Sequence, residues 1–190
     1  MPVRPDRGTV RINGRPVREA LRENLVAYVP QSEEVDWQFP VNVTDVAMMG
    51  RLRHTGWIKP ASKHDKEVVS WALERVGMLQ RRNSAVGELS FGQQQRVLFA
   101  RALAQEGNLV LLDEPMNGVD PQTQELFLEL LSSFHAEGRT ILMATHDLNQ
   151  AADVCDTVCV LNQRLVAYGP LRQTLTEEVL RDAYGVHLHF

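Results

Sequence analysis

The segment Leu109-Val-Leu-Leu-Asp113-Glu114 decides how this chain is read. A short apolar run leads directly into two adjacent acids. A run without polar alternation suits a buried strand of a parallel sheet. Open parallel sheets hold their ligands beyond the carboxyl ends of the strands, so Asp113 and Glu114 are expected at the rim of a binding crevice. Downstream, Asp120-Pro121 sets an N-cap before a proline at the first helical position. The helix it opens runs to about Ala136, and Gly138 ends it. Thr140–Thr145 reads as the next strand, and Asp147 caps a helix running to about Val154. Strands alternating with helices predict an α/β architecture with a mostly parallel sheet.

Working upstream, Gly8-Thr-Val-Arg-Ile-Asn-Gly14 reads as a strand closing on an Asn-Gly turn. Leu25–Val29 reads as a strand stopped by Pro30. Between Ser32 and Gly107 the helix signal dominates, with helices expected at Asp45–Gly50, His64–Gly77 and Gly92–Gln105. This stretch reads as an insertion into the sheet. Towards the C-terminus, Val158–Leu161 and Leu165–Tyr168 flank Asn162-Gln-Arg164 as a hairpin at a sheet edge. Thr176 caps a final helix to Tyr184, with Glu177 and Glu178 in its first turn. The expected organisation is residues 1–31 as the start of a core, 32–107 as a helical subdomain, and 108–190 as the rest of the core with a C-terminal helix.

Composition narrows the class. The 190 residues carry 20 Lys+Arg against 24 Asp+Glu, a formal net charge of −4. No basic excess points to nucleic acid. Hydrophobic residues at 44% and charged residues at 23% are ordinary for a globular domain. The apolar stretches fall far short of a membrane span. Cys155 and Cys159 provide no disulfide framework and are expected as packing residues. His187 and His189 alternate at the end of the chain and are expected in solvent.

Three polar sites end predicted strands: Gln31 after Val29-Pro30, the Asp113-Glu114 pair, and His146 in Thr145-His146-Asp147. An acid ending an apolar strand can hold Mg²⁺ through water, and its neighbour can deprotonate an attacking water. Alone, such a pair is also what a solvated strand end looks like. Its companions decide the reading. Leu89-Ser-Phe-Gly-Gln-Gln-Gln-Arg96 places Ser90 and Gly92 at the mouth of a helix, where free amides and the positive dipole end favour a phosphate.

In this order the motifs resemble the ATP-binding subunits of ABC transporters from Gly8 to the C-terminus. The resemblance implies an incomplete P-loop NTPase (RecA-like) fold with the helical insertion. Gln31 resembles the Q-loop glutamine, Leu89–Gln93 the signature LSGGQ, and Val110–Glu114 the Walker B strand with its catalytic glutamate. Asp120 resembles the D-loop aspartate and His146 the switch histidine. By that resemblance two such subunits pair head to tail. Ser90, Gly92 and Gln93 then serve the partner's ATP, and Glu114 is the general base of its own site. Gln31 and Asp113 attend Mg²⁺, Asp113 through water; His146 contacts the γ-phosphate, and Asp120 bridges the two sites. Finer words resemble the manganese/zinc/iron uptake branch: Val35-Asp-Trp-Gln-Phe-Pro40, Asp45-Val-Ala-Met-Met-Gly-Arg51, Thr55-Gly-Trp57, Gly118-Val-Asp120 and Val166-Ala-Tyr-Gly-Pro170. The implied partners are a transmembrane permease docked on the helical subdomain, a second ATP-binding subunit in a homodimer, and, indirectly, an extracytoplasmic metal-binding protein. The implied location is the cytoplasmic face of the membrane.

Two departures qualify the resemblance. The phosphate loop of such proteins ends in Gly-Lys-Ser/Thr, but the three lysines here, Lys59, Lys63 and Lys66, follow Ile58, Ser62 and Asp65. By family order that loop precedes Gly8, so the chain is expected to be N-terminally truncated and inactive alone. The alternative is a non-catalytic pseudo-ATPase module that lends its signature to a complete partner. Phe91 replaces the usual glycine of the signature; a position requiring positive φ would strain it. An ABC protein acting on chromosomes or ribosomes fits less well: the stretch from Gln31 to Leu89 is too short for the long coiled coil of the chromosome-associated type, the translation-linked type would carry two such domains, and the charge balance is neutral to acidic.

Overall fold

A computed structural model of the chain describes residues 5–32, 35–55 and 60–185. The histidines His187 and His189, and Gly56 and Trp57 of one branch-specific word, lie outside the described residues. The chain forms two compact units, Met1–Ala144 and Thr145–Phe190.

The first unit opens with a small antiparallel pair, β1 (Arg11–Ile12) and β2 (Arg15–Pro16). Asn13 and Gly14 join them with φ of 50° and 74°, the paired left-handed conformations that a two-residue hairpin turn requires. The expected strand over Gly8–Gly14 is thus much shorter. A helix the sequence reading lacked, α1 (Val17–Arg22), follows. Next come β3 (Val26–Val29), α2 (Val43–Met49), α3 (Leu52–Thr55), α4 (Lys63–Arg75) and α5 (Phe91–Gln105). The unit ends with β4 (Leu109–Asp113), α6 (Pro121–Ala136) and β5 (Thr140–Ala144). The helix starts are set chemically. Asn42, Ser62 and Ser90 each form a capping box with the third helical residue, and Asp120 caps α6 with Pro121 at its first position.

The sheet is parallel, in the order β3-β4-β5. Val29 pairs with Leu112, and Asp113 pairs with Ala144, so the three carboxyl ends lie nearly level. Ala27, Val29, Val110 and Leu112 are buried on one face, in a core that includes Phe99 of α5 and Phe127 of α6. Those two rings stack with centroids 3.9 Å apart. The opposite face differs. Tyr28, Leu111 and Leu142 stand in one register row, with Tyr28 40% and Leu142 60% exposed. The strand expected to be buried on both faces is therefore covered on one. At the free edge of β3, α5 stands in for a neighbouring strand. Gln105 Oε1 accepts the Tyr28 amide at 2.9 Å, and Arg101 Nη2 donates to the Tyr28 carbonyl at 3.1 Å.

Among the helices, Arg51 and Asp65 are buried together, with Nε donating to Oδ1 at 2.9 Å. Arg51 Nη1 also donates to the Ala104 carbonyl at 2.9 Å. One guanidinium thus ties the segment after α2 to α4 and to the end of α5.

The second unit holds α7 (Leu148–Val154), β6 (Thr157–Asn162), β7 (Arg164–Pro170), α8 (Leu171–Thr174) and α9 (Glu177–Tyr184). The expected hairpin is present, turning through Gln163 at φ 54°. It makes a two-stranded sheet of its own rather than an edge of the parallel one. Strand alternation buries Val158 and Val160 and turns Cys159 outward; Cys159 is therefore not the packing residue expected. Cys155 is half-buried, and burial raises its thiol pKa above the usual value. Among the described residues, no helix is long and apolar enough to cross a membrane.

Candidate functional site

The carboxyl ends of β3 and β4 place Gln31 and the Asp113-Glu114 pair on neighbouring strands. Gln31 lies two residues beyond β3, and Asp113 is the last residue of β4. Glu114 then turns sharply away, at φ 43°. A left-handed conformation at a residue other than glycine costs about 1–3 kcal/mol and persists only when its surroundings enforce it. Here the Glu114 amide donates to the Ala144 carbonyl at 3.0 Å, and its carbonyl accepts from Asn117 at 3.2 Å. The last residue of β5 thus fixes the turn that presents the second acid. Gln31 and Asp113 contribute oxygen donors of the hard kind that suits Mg²⁺. Among the described residues no three His, Cys, Asp or Glu gather to hold a metal themselves.

At the start of α5, Ser90 Oγ accepts the Gln93 amide at 3.4 Å, and Gln93 Oε1 accepts the Ser90 amide at 3.1 Å. The two side chains close the helix mouth on each other. Phe91 is the first residue of α5 and has no positive φ, so the feared backbone strain is absent. Its ring lies over Gly118, where an added Cβ would sit 3.4 Å from the ring edge. Gly92 is needed for a different reason. A Cβ there would stand 2.7 Å from Asp120 Oδ2 and 3.2 Å from Thr123 Oγ1. The start of α5 and the Asn117–Asp120 segment are therefore packed together.

Asp120 accepts the Thr123 amide at 3.0 Å and the Thr123 hydroxyl at 2.8 Å. The same hydroxyl accepts from Arg96 Nε and Nη2 at 3.0 and 2.8 Å. These bonds, the Thr123 hydroxyl foremost, hold the Asp120 carboxyl below the usual carboxylate range. His146 belongs to the second unit. It follows Thr145, whose Oγ1 accepts the Asp147 amide at 3.1 Å, and precedes Asp147, whose carboxylate caps α7 through Asn149 and Gln150.

Sequence reasoning missed Ser32, Gln95, Arg96 and Thr123. Gln95 had a legible signal: it lies at helical spacing from Leu98, Phe99 and Ala102, a polar residue on the buried face of α5. Thr123 is wholly buried at the third position of α6. Only the fold brings Arg96 to it.

The family model described as ABC transporter matches residues 2–117. The chain is a member of the ABC transporter family. It is 46% identical over 183 residues to the chelated iron transport system membrane protein YfeB of Yersinia pestis, covering 96% of this chain and 62% of that protein. It is also 46% identical to the manganese transport system ATP-binding protein MntA of a Synechocystis strain, over 96% of this chain and 70% of that one. Among solved structures, a metal-chelate type ABC transporter in an inward-facing conformation superposes with a TM-score of 0.78 at 30% identity, over 85% of this chain and 65% of that one. The fold is that of an ABC ATPase domain, and this ABC chain spans 62% and 70% of the two named relatives.

Proposed function

We propose that this chain supplies the ATP-binding, ATP-hydrolysing part of an ABC importer for manganese, zinc or iron ions. The observation that carries the reading is the level row of carboxyl ends, with Gln31 just beyond β3, Asp113 ending the adjacent parallel strand β4, and Glu114 held in a left-handed turn after it. Names of the similar proteins, for chelated iron and for manganese, support the class of cargo.

In this reading Glu114 takes the proton of the attacking water, and Gln31 and Asp113 would hold Mg²⁺, Asp113 through water. When bound with ATP, that ion stabilises charge on the transferring phosphate. His146 contacts the γ-phosphate. Ser90, Gly92 and Gln93 present the dipole end of α5 to the ATP of a second subunit, and Asp120 links the two sites across a homodimer. The helical stretch 32–107 docks on the membrane-spanning permease at the cytoplasmic face, with an extracytoplasmic metal-binding protein delivering cargo. Closure on ATP and reopening after hydrolysis would then drive the permease.

The 190 residues contain no Gly-Lys pair, and with it goes the main-chain and lysine grip on phosphate. The isolated chain is therefore expected neither to bind ATP tightly nor to hydrolyse it. Phosphate release from MgATP by the purified chain checks this. Turnover that requires Mg²⁺ and disappears in Glu114→Gln would overturn the expected inactivity while supporting the role of Glu114. Uptake of Mn²⁺, Zn²⁺ and Fe²⁺ by cells carrying the intact transporter tests the cargo; uptake of none of them, with another solute taken up instead, would overturn it.

A further inference from the structure

The loop that carries Gln31 and the loop that carries Glu114 meet one buried side chain. Ser32, next to Gln31, is 2% exposed, and its hydroxyl donates to Gln95 Oε1. Gln95 is also 2% exposed, and its Nε2 donates to the Pro115 carbonyl at 3.1 Å. Pro115 directly follows Glu114. The orientation of the amide is fixed by chemistry, because the reversed amide would set its oxygen against the Pro115 carbonyl, two acceptors facing each other. On the far side, the Trp37 indole donates to the Ser32 carbonyl at 2.9 Å, so the Gln31 loop is held at Ser32 from two directions.

This arrangement is demanding. A buried amide with one end unpaired is costly, so displacing either loop strains the bond to the other. Glu114 adds to the demand. Its left-handed backbone needs constraint on both sides, and Ala144 supplies one bond before it while Gln95 supplies one just after it.

We infer that Gln95 is a positioning residue that makes the Gln31 loop and the Glu114 loop one mechanical unit, so that movement at Gln31 is transmitted to the backbone beside Glu114. The role assigned to those two residues rests on the ATPase reading above, but the coupling itself does not.

Amide hydrogen exchange on the chain, without nucleotide, separates the two. Gln95→Leu removes both bonds at similar size and should raise exchange in residues 31, 32 and 35–37 and in 113–117 together, by about tenfold, the scale of one lost net hydrogen bond. Ser32→Ala leaves the Gln95–Pro115 bond in place and touches nothing at 113–117, yet should raise exchange there. That remote effect is a readout a packing role alone would not produce. Thermal melts show whether each variant folds. If Ser32→Ala leaves 113–117 unchanged, or Gln95→Leu loosens only one of the two loops, the coupling is wrong whatever the chain does with ATP.

Discussion

The two faces of the β3-β4-β5 sheet are unlike each other. Ala27, Val29, Val110 and Leu112 lie against helices in a closed core, whereas Tyr28 and Leu142 open to solvent beside Leu111 on the other side. Parallel strands ordinarily need cover on both faces. The difference shows where the candidate site takes its rigidity. Next to Gln31 and Glu114, Ser32 and Pro115 are held from α5 by the buried Gln95, and Glu114 itself is tied to Ala144 of β5.

The largest effect expected from this contrast is at Phe127. It is wholly buried and stacked on Phe99, so Phe127→Ala should destabilise the first unit by about 3–5 kcal/mol. Leu142→Ala, on the open face, should cost no more than about 0.5 kcal/mol. Urea unfolding followed by far-UV circular dichroism measures both. Equal costs would mean that the two faces are not unlike in solution.

A smaller effect is expected at Asp65, among the helices that close the packed side. The Ser62 hydroxyl first, and then the Arg51 guanidinium, hold its carboxyl down to about 2 against the cost of burial. A carboxyl with a lowered folded pKa adds stability that is present above its unfolded value, near about 4, and is lost as the pH falls towards 2. Asp65→Asn should cost about 1–3 kcal/mol at neutral pH, the scale of a buried polar group left short of a partner. It should also flatten the decline between pH 4 and 2. An acid limb as steep in the variant as in the parent would assign that decline to other carboxylates.

Much of the closed side was legible in the sequence. The apolar run Leu109–Leu112, the Asp120-Pro121 helix start and the helix over Gly92–Gln105 each follow from local chemistry, and each appears within a residue or two of its expected bounds. What escaped the reading is what only folding brings together. Arg96 reaches Thr123, Gln95 reaches Ser32 and Pro115, and the glycine at 92 answers to Asp120 rather than to a phosphate alone. The helix Val17–Arg22 escaped for another reason: its six residues carry too little periodicity to separate from a loop. The one-sided burial of β4 was illegible in principle, since an apolar run states that a strand seeks cover and not whether cover is present.

The smallest effect on stability is expected where the open face meets the sheet edge. β5 is the last strand of the sheet, and Thr140-Ile-Leu-Met-Ala144 is uncharged, β-prone and free of proline, the kind of segment that recruits another chain. At the other edge Arg101 and Gln105 occupy the backbone groups of Tyr28. Leu142→Lys places a charge in the exposed row and should change the unfolding free energy by no more than about 0.5 kcal/mol. It should nevertheless reduce self-association severalfold, as read by light scattering on concentrated samples. A lysine that instead destabilises by several kcal/mol would show Leu142 to be buried in solution. The two faces of the sheet would then be alike in cover, and the contrast between them would fail.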